Sequence, residues 1–259
     1  MSALVQRIPF GLVNLLGALA FAFPFISGAF ADTSEGAARG ADAPWLLALL
    51  VPLILAVAIA ESTRGRLDSK GIALLGVLAA LAALMRVPLS IGGANLMFFL
   101  PLVGGFVFGP SFGFLLGAFA MLASGVITGG IGPWLPFQVL ASGWIGAGAG
   151  LLRPLGDRLQ TRPVIQVAVL ATFGYLAGLF YGVVINLYFW PLLPVRSEIG
   201  WTPGLGLRET LEHYRSFYLL TSLAWDALRG VANAVLILAV GVPVIELLRR
   251  YRRRFSVVQ

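Results

Sequence analysis

The chain has 259 residues, 59% of them hydrophobic and only 11% charged, with a mean hydropathy of +0.92. A soluble domain of this length would carry roughly twice that charge on its surface, so the composition indicates a polytopic integral membrane protein. With no cysteine and a single histidine, His213, disulfides, cysteine nucleophiles and thiolate or multi-histidine metal sites are excluded.

Hydrophobic runs predict spans at 8–31, 44–60, 70–86, 96–109, 111–129, 134–152, 163–190 and 216–248. Arg7, Arg64, Arg66, Lys70, Arg153, Arg158, Arg162 and the tail "RRYRRR" at 249–254 then share one side of the membrane. Arg39, Arg86, Arg196, Arg208 and Arg215 lie opposite, diluted by Asp32, Glu35, Asp42, Glu198, Glu209 and Glu212. The positive-inside bias therefore places both termini in the cytoplasm. The basic tail reads as an anchor near anionic headgroups rather than a nucleic-acid site.

The first run also has the form of a secretory signal, with Arg7 before it and "AFA" at 29–31 before Asp32. Its apolar stretch exceeds the usual run of about 7–15 residues and contains Pro9 and Pro24, which favours a retained helix. Further along, "ALLGVLAALAALMRVP" at 73–88 is a helix smooth with small residues: Ala73, Gly76, Ala80 and Ala83 follow helical spacing, and Ala79 pairs with Ala83. Such a face packs inside its own bundle or docks another subunit.

The glycine-rich stretch "GGIGPWLPFQVLASGWIGAGAG" at 129–150 raises the question of a phosphate loop. A Walker motif needs a lysine after its glycines, and the chain's only lysine is Lys70. No alternating strands flank the stretch either, as a dinucleotide fold requires. Residues 129–133 instead form an external turn, Pro133 opens a helix, and Trp134 sits at the membrane interface. Ser142, Gly146 and Gly150 recur every fourth position, beside Gly143 and Ala147, which lets helices approach closely in lipid. Gln138, about one turn inside, needs a hydrogen-bond partner.

The last run, "FYLLTSLAWDALRGVANAVLILAVGVP" at 217–243, places Asp226 roughly 14 Å deep in the membrane, counted from Phe217. Arg229 and Asn233 share its face. Charges at that depth face a bundle interior or a wet cavity. The pair Asp226–Arg229 therefore either fixes packing or floors a ligand cavity that Trp225 and Tyr218 help to line.

Chemical marks of membrane enzymes are missing. No aspartate-rich pair serves magnesium and diphosphate, no H-E-x-x-H serves zinc, and His213 lies outside the spans where a serine protease would need it. A proton-coupled carrier would show more intramembrane carboxylates or inverted halves. What remains is a binding or transport module without its own energy source. The alternatives are a stand-alone secondary carrier and an enzyme with an unrecognised site.

Over residues ~70–250 the order of pieces resembles the substrate-binding S components of energy-coupling factor (ECF) vitamin transporters. The pieces are "LAALAALMRVP", the loop "LSIGGANLMF", the hairpin "GGFVFGPSFGFLLGAFA" turning at Gly109-Pro110, "GPWLPFQ", a basic loop, and "DALRGVANAV". The resemblance implies an all-α integral membrane protein: a six-helix bundle over 63–259, preceded by two extra transmembrane helices within 1–62. It implies a vitamin site on the outer side, for which Asn95, Trp134, Gln138, Tyr218, Trp225 and Asp226 are the candidate residues. It implies docking to a T subunit through Gly76, Ala79, Ala80 and Ala83, with two ATPase subunits consuming ATP and no cofactor on this chain. The "GPWLPFQ…GWIGAGAG" helix looks most like cobalamin-linked members.

Overall fold

Within hydrocarbon every backbone polar group needs an internal partner, and each apolar run forms a helix. The computed structural model describes residues 8–27, 39–64, 67–87, 95–193, 199–202 and 204–256. Arg7, the cleavage motif at 29–31 and residues 88–94 of the loop before Asn95 lie outside them. The helices are α1 (Ile8–Ser27), α2 (Arg39–Thr63), α3 (Ser69–Leu84), α4 (Phe99–Phe108), α5 (Pro110–Ile127), α6 (Leu135–Leu151), α7 (Arg153–Arg158), α8 (Pro163–Phe189), α9 (Leu207–Thr221) and α10 (Leu223–Ser256). Among the described residues no strand occurs. Helix α5, α6 continued through α7, α8 and α10 are each long and apolar enough to cross a membrane, and α1 to α4 supply shorter apolar stretches.

Helix α4 holds the centre. At ten residues it reaches only about 15 Å, short of a bilayer core. Because Phe99 to Val107 are all buried, protein rather than lipid surrounds it. The irregular approach to α4 is buried too, a setting in which non-helical backbone is tolerated at membrane depth. Gly109 then turns the chain with φ 108°, a conformation that favours glycine, and Pro110 opens α5 in its first turn.

Helices α5 and α6 pack backbone to backbone. A Cβ at Gly113 would overlap the Gly146 carbonyl, and one at Gly117 would overlap the Ser142 carbonyl. The small residues at 142, 146 and 150 thus fill an internal seam. Helix α1 lies against α2, α6 and α8. Trp144 Nε1 donates to Asn14 Oδ1 at 2.6 Å, and Phe10 and Phe21 meet Phe114 and Phe137 edge-on.

The end of the bundle that carries the basic tail is tied by arginine. Arg249 donates to Gln166 Oε1 at 2.9 Å and to Gly156 O at 3.0 Å. Arg252 reaches Asp157 Oδ1 at 2.9 Å and Val107 O at 2.6 Å, while Arg153 reaches Phe108 O at 3.1 Å. Val107 and Phe108 close α4, so these cations satisfy carbonyls that a helix end leaves unpaired. The tail is therefore not only a lipid anchor: α10 runs on to Ser256, and Arg249 and Arg252 bind the protein itself.

The other correction concerns the last span. The chain breaks at Ser222, whose φ −121° and ψ −34° end α9. Asp226 consequently lies in the first turn of α10, and the depth counted from Phe217 through a continuous helix does not hold.

Replacing Gly146 by leucine should lower the thermal midpoint of the detergent-solubilised chain, at a cost of about 1–3 kcal/mol or more from overpacking. Gly11→Ala, where an added Cβ meets nothing within 4 Å, should leave it unchanged. Thermal denaturation followed by gel filtration checks both.

Candidate functional site

Every fourth residue of one α8 row is small: Gly174, Gly178, Gly182. Their missing side chains bring α10 onto the α8 backbone. A Cβ at Gly178 would run into the Gly230 backbone, and one at Gly182 would occupy the space of the Asp226 carboxylate. Over this row α10 lays its polar residues. Asn233 Nδ2 donates to Gly174 O at 3.0 Å, and Arg229 Nη1 approaches Gly178 O at 3.5 Å.

Asp226 and Arg229 form an ion pair through Oδ1 and Nη1, and both are buried, 3% and 8% exposed. The Arg229 guanidinium also stands 4.9 Å from the centroid of the Tyr181 ring, where the π face favours a cation. Tyr181 in turn packs on Phe98, with centroids 4.9 Å apart. Arg229 is thus held on three sides by a carboxylate, a carbonyl and a ring. Asp226 is held by Arg229 at Oδ1, while Oδ2 is buried against the Gly182 backbone. The Tyr218 hydroxyl, also buried without a bond of regular geometry, approaches the same carboxylate from α9.

A cavity of about 320 Å³ opens beside this pair between α8 and α10. Tyr181, Ile185 and Phe189 give it apolar walls, Asn186 and Ser222 add polar groups, and Trp225 and Asp226 complete it. The volume lies at the small end of ligand pockets, and an apolar wall with a few convergent polar groups is their usual composition.

Helix α9 braces the region. Tyr214 donates to Val183 O on α8, and its ring meets Trp190 edge-on at 5.1 Å. Burial pushes the Tyr214 phenol up from its ordinary value, which keeps it a donor. Trp190 Nε1 donates to Ile199 O at 2.7 Å, and His213 Nδ1 lies 2.9 Å from Gly200 O.

The candidates read from the sequence divide. Trp225 and Asp226 line the cavity, and Tyr218 stands behind the carboxylate. Asn95 sits instead at the entry to α4, where its Oδ1 accepts the Met97 N–H at 3.1 Å. Trp134 precedes α6, 37% exposed, and donates to Gly130 O at 3.1 Å. Gln138 is half-buried in the first turn of α6. Sequence reasoning passed over Tyr181 and Asn186. The signal for Asn186 was present, since it is the next position of the row 174, 178, 182.

The small face of α3 is divided as well. Ala79 and Ala83 turn inward, 5% and 0% exposed, whereas Gly76 and Ala80 are exposed. Ala79 and Ala83 therefore belong to internal packing, which leaves Gly76 and Ala80 as the outward pair.

Removing one member of the ion pair should be more damaging than removing both. Asp226→Asn strands a buried guanidinium, a loss of about 3–5 kcal/mol for such pairs, and should cut the yield of monodisperse protein. Asp226→Asn with Arg229→Gln should recover it, because two amides can bond across one turn. Gel filtration of membrane extracts measures the yields.

Residues 70–241, from α3 into α10, match the family model described as ECF transporter, substrate-specific component. No curated protein and no solved structure matches the chain.

Proposed function

Because the chain belongs to the ECF transporter substrate-specific component family, we propose that it captures a vitamin or vitamin precursor from outside the cell. It then delivers this substrate through a T subunit driven by two ATPase subunits. The observation that carries the reading is the cavity of about 320 Å³ between α8 and α10, with a buried charge pair in its wall. It lies away from the arginine-rich end, and the positive-inside bias makes that basic end cytoplasmic and the cavity end external. On this proposal the protein resides in the cytoplasmic membrane with both termini inside. ATP is used by the partners, and this chain carries no cofactor of its own.

Helices α1 and α2 precede the matched stretch and form an extension packed on α5, α6 and α8. That leaves the outer face of α3 open. A T subunit docks there, where Gly76 and Ala80 let a partner helix come close.

As to the vitamin, the residues of α6 look most like cobalamin-linked members. The cavity favours a compound of one or two rings, since a corrinoid macrocycle far exceeds about 320 Å³. Growth rescue of uptake mutants with cobalamin and smaller vitamins in parallel separates the two. Rescue by cobalamin alone would set the small-ring reading aside.

Co-expression with T and ATPase subunits should yield a complex that Ala80→Trp abolishes, with the isolated variant still monodisperse. An indole cannot enter a close helix contact. Full complex from that variant would contradict docking through this face. Ala83→Trp, by contrast, should damage the bundle itself, because Ala83 is fully buried.

A further inference from the structure

Helices α1 and α2 precede the residues that the family model matches, 70–241. The Ser27 end of α1 is nevertheless built into the surroundings of the cavity, through two rows of rings. In the first row, Phe21 of α1 meets Phe137 of α6 edge-on, with centroids 5.0 Å apart. Phe137 stacks on Tyr188 at 4.1 Å, and Tyr188 meets Phe189 edge-on at 5.1 Å. Phe189 is a wall of the cavity between α8 and α10. In the second row, Phe25 lies 6.1 Å from Trp190 and 5.9 Å from Trp201. Trp190 carries the contact on to Tyr214 and Phe217 of α9, at 5.1 Å and 6.3 Å.

From these contacts we infer that α1 is a positioning helix for the α8–α10 cavity. Phe21 supports the Phe189 wall from behind, and Phe25 holds the junction between α8 and α9. The inference rests on the reading of this cavity as the substrate site.

The place where the rows arrive gives them their effect. Asn186 and Phe189 both line the cavity, and both belong to the last turn of α8, which ends at Phe189. The last carbonyls of a helix have no partner in a following turn, so side-chain packing decides how firmly that turn is held. Phe21, Phe137, Tyr188 and Trp190 are all buried, and close-packed interiors transmit strain. The opposite end of α1 makes a contact of the same kind elsewhere: Phe10 meets Phe114 edge-on at 5.4 Å, and Phe114 does not line the cavity. One helix therefore carries both the contact to be tested and its control.

Because the chain has no cysteine, a single nitroxide can report on the wall. Asn186→Cys, spin-labelled in the full chain in lipid nanodiscs, places the probe one turn from Phe189. Its electron paramagnetic resonance spectrum should be dominated by an immobilised component. Phe21→Leu and Phe25→Leu keep an apolar side chain and remove the ring. Each should raise the ratio of mobile to immobilised label about threefold to tenfold, the factor for losing one aromatic pair from the packed arrangement. Phe10→Leu should leave that ratio unchanged, even where it lowers the thermal midpoint as much.

An unchanged ratio in Phe21→Leu, or an equal rise in Phe10→Leu, would overturn the inference. Phe25→Leu supplies the test if Phe21→Leu does not fold, with an unchanged ratio again overturning it. The spectra are read without substrate or T subunit, so either failure would leave the transport reading standing. A T subunit that does not co-purify would count against the transport reading alone.

Discussion

The carboxylate of Asp226 occupies the space that a side chain at position 182 would fill, and the upper half of the bundle is arranged around that substitution of volume. With glycine at 174, 178 and 182, α8 presents bare backbone, and α10 comes close enough for Arg229 and Asn233 to reach its carbonyls. A buried ion pair is a weak source of stability by itself, because desolvation cancels much of the attraction. Here the surrounding carbonyl and ring offset part of that cost for the cation. The anion is enclosed by Arg229, the Gly182 backbone and the Tyr218 hydroxyl, and the cavity stands beside it.

The two ends of the bundle are built on opposite principles. At the basic end, arginines of α10 and α7 bind the last carbonyls of α4 and α7, so the helices are fastened by charged donors. At the cavity end, α10 begins afresh after the break at Ser222, and α9 braces it through aromatic contacts and the Tyr214 bond.

Much of the fold was legible because apolar runs must become helices in a membrane. The runs at 70–86, 111–129, 134–152 and 163–190 correspond closely to α3, α5, α6 and α8. The α9 helix was hidden for a physical reason: Phe217 to Thr221 are apolar enough to merge with α10 in any hydropathy reading, and nothing but Ser222 marks the break. The α3 face illustrates a second limit. Residues 76 and 80 and residues 79 and 83 have the same spacing, and the two rows are neighbours only about 60° apart around the helix. Periodicity reveals that a smooth row exists, but only packing reveals which row looks inward. The site was half legible. Asp226 and Trp225 stood out by charge depth and aromatic character, while Asn186 required following the α8 glycine row one step further.

The central claim is that solute is held in the cavity between α8 and α10. The most direct measurement is an experimental structure of the full chain with the solute it retains from cells in which it is expressed. The account predicts solute seated against Phe189 and Trp225 in the cavity between α8 and α10. Solute held elsewhere, with the α8–α10 cavity empty, would contradict it.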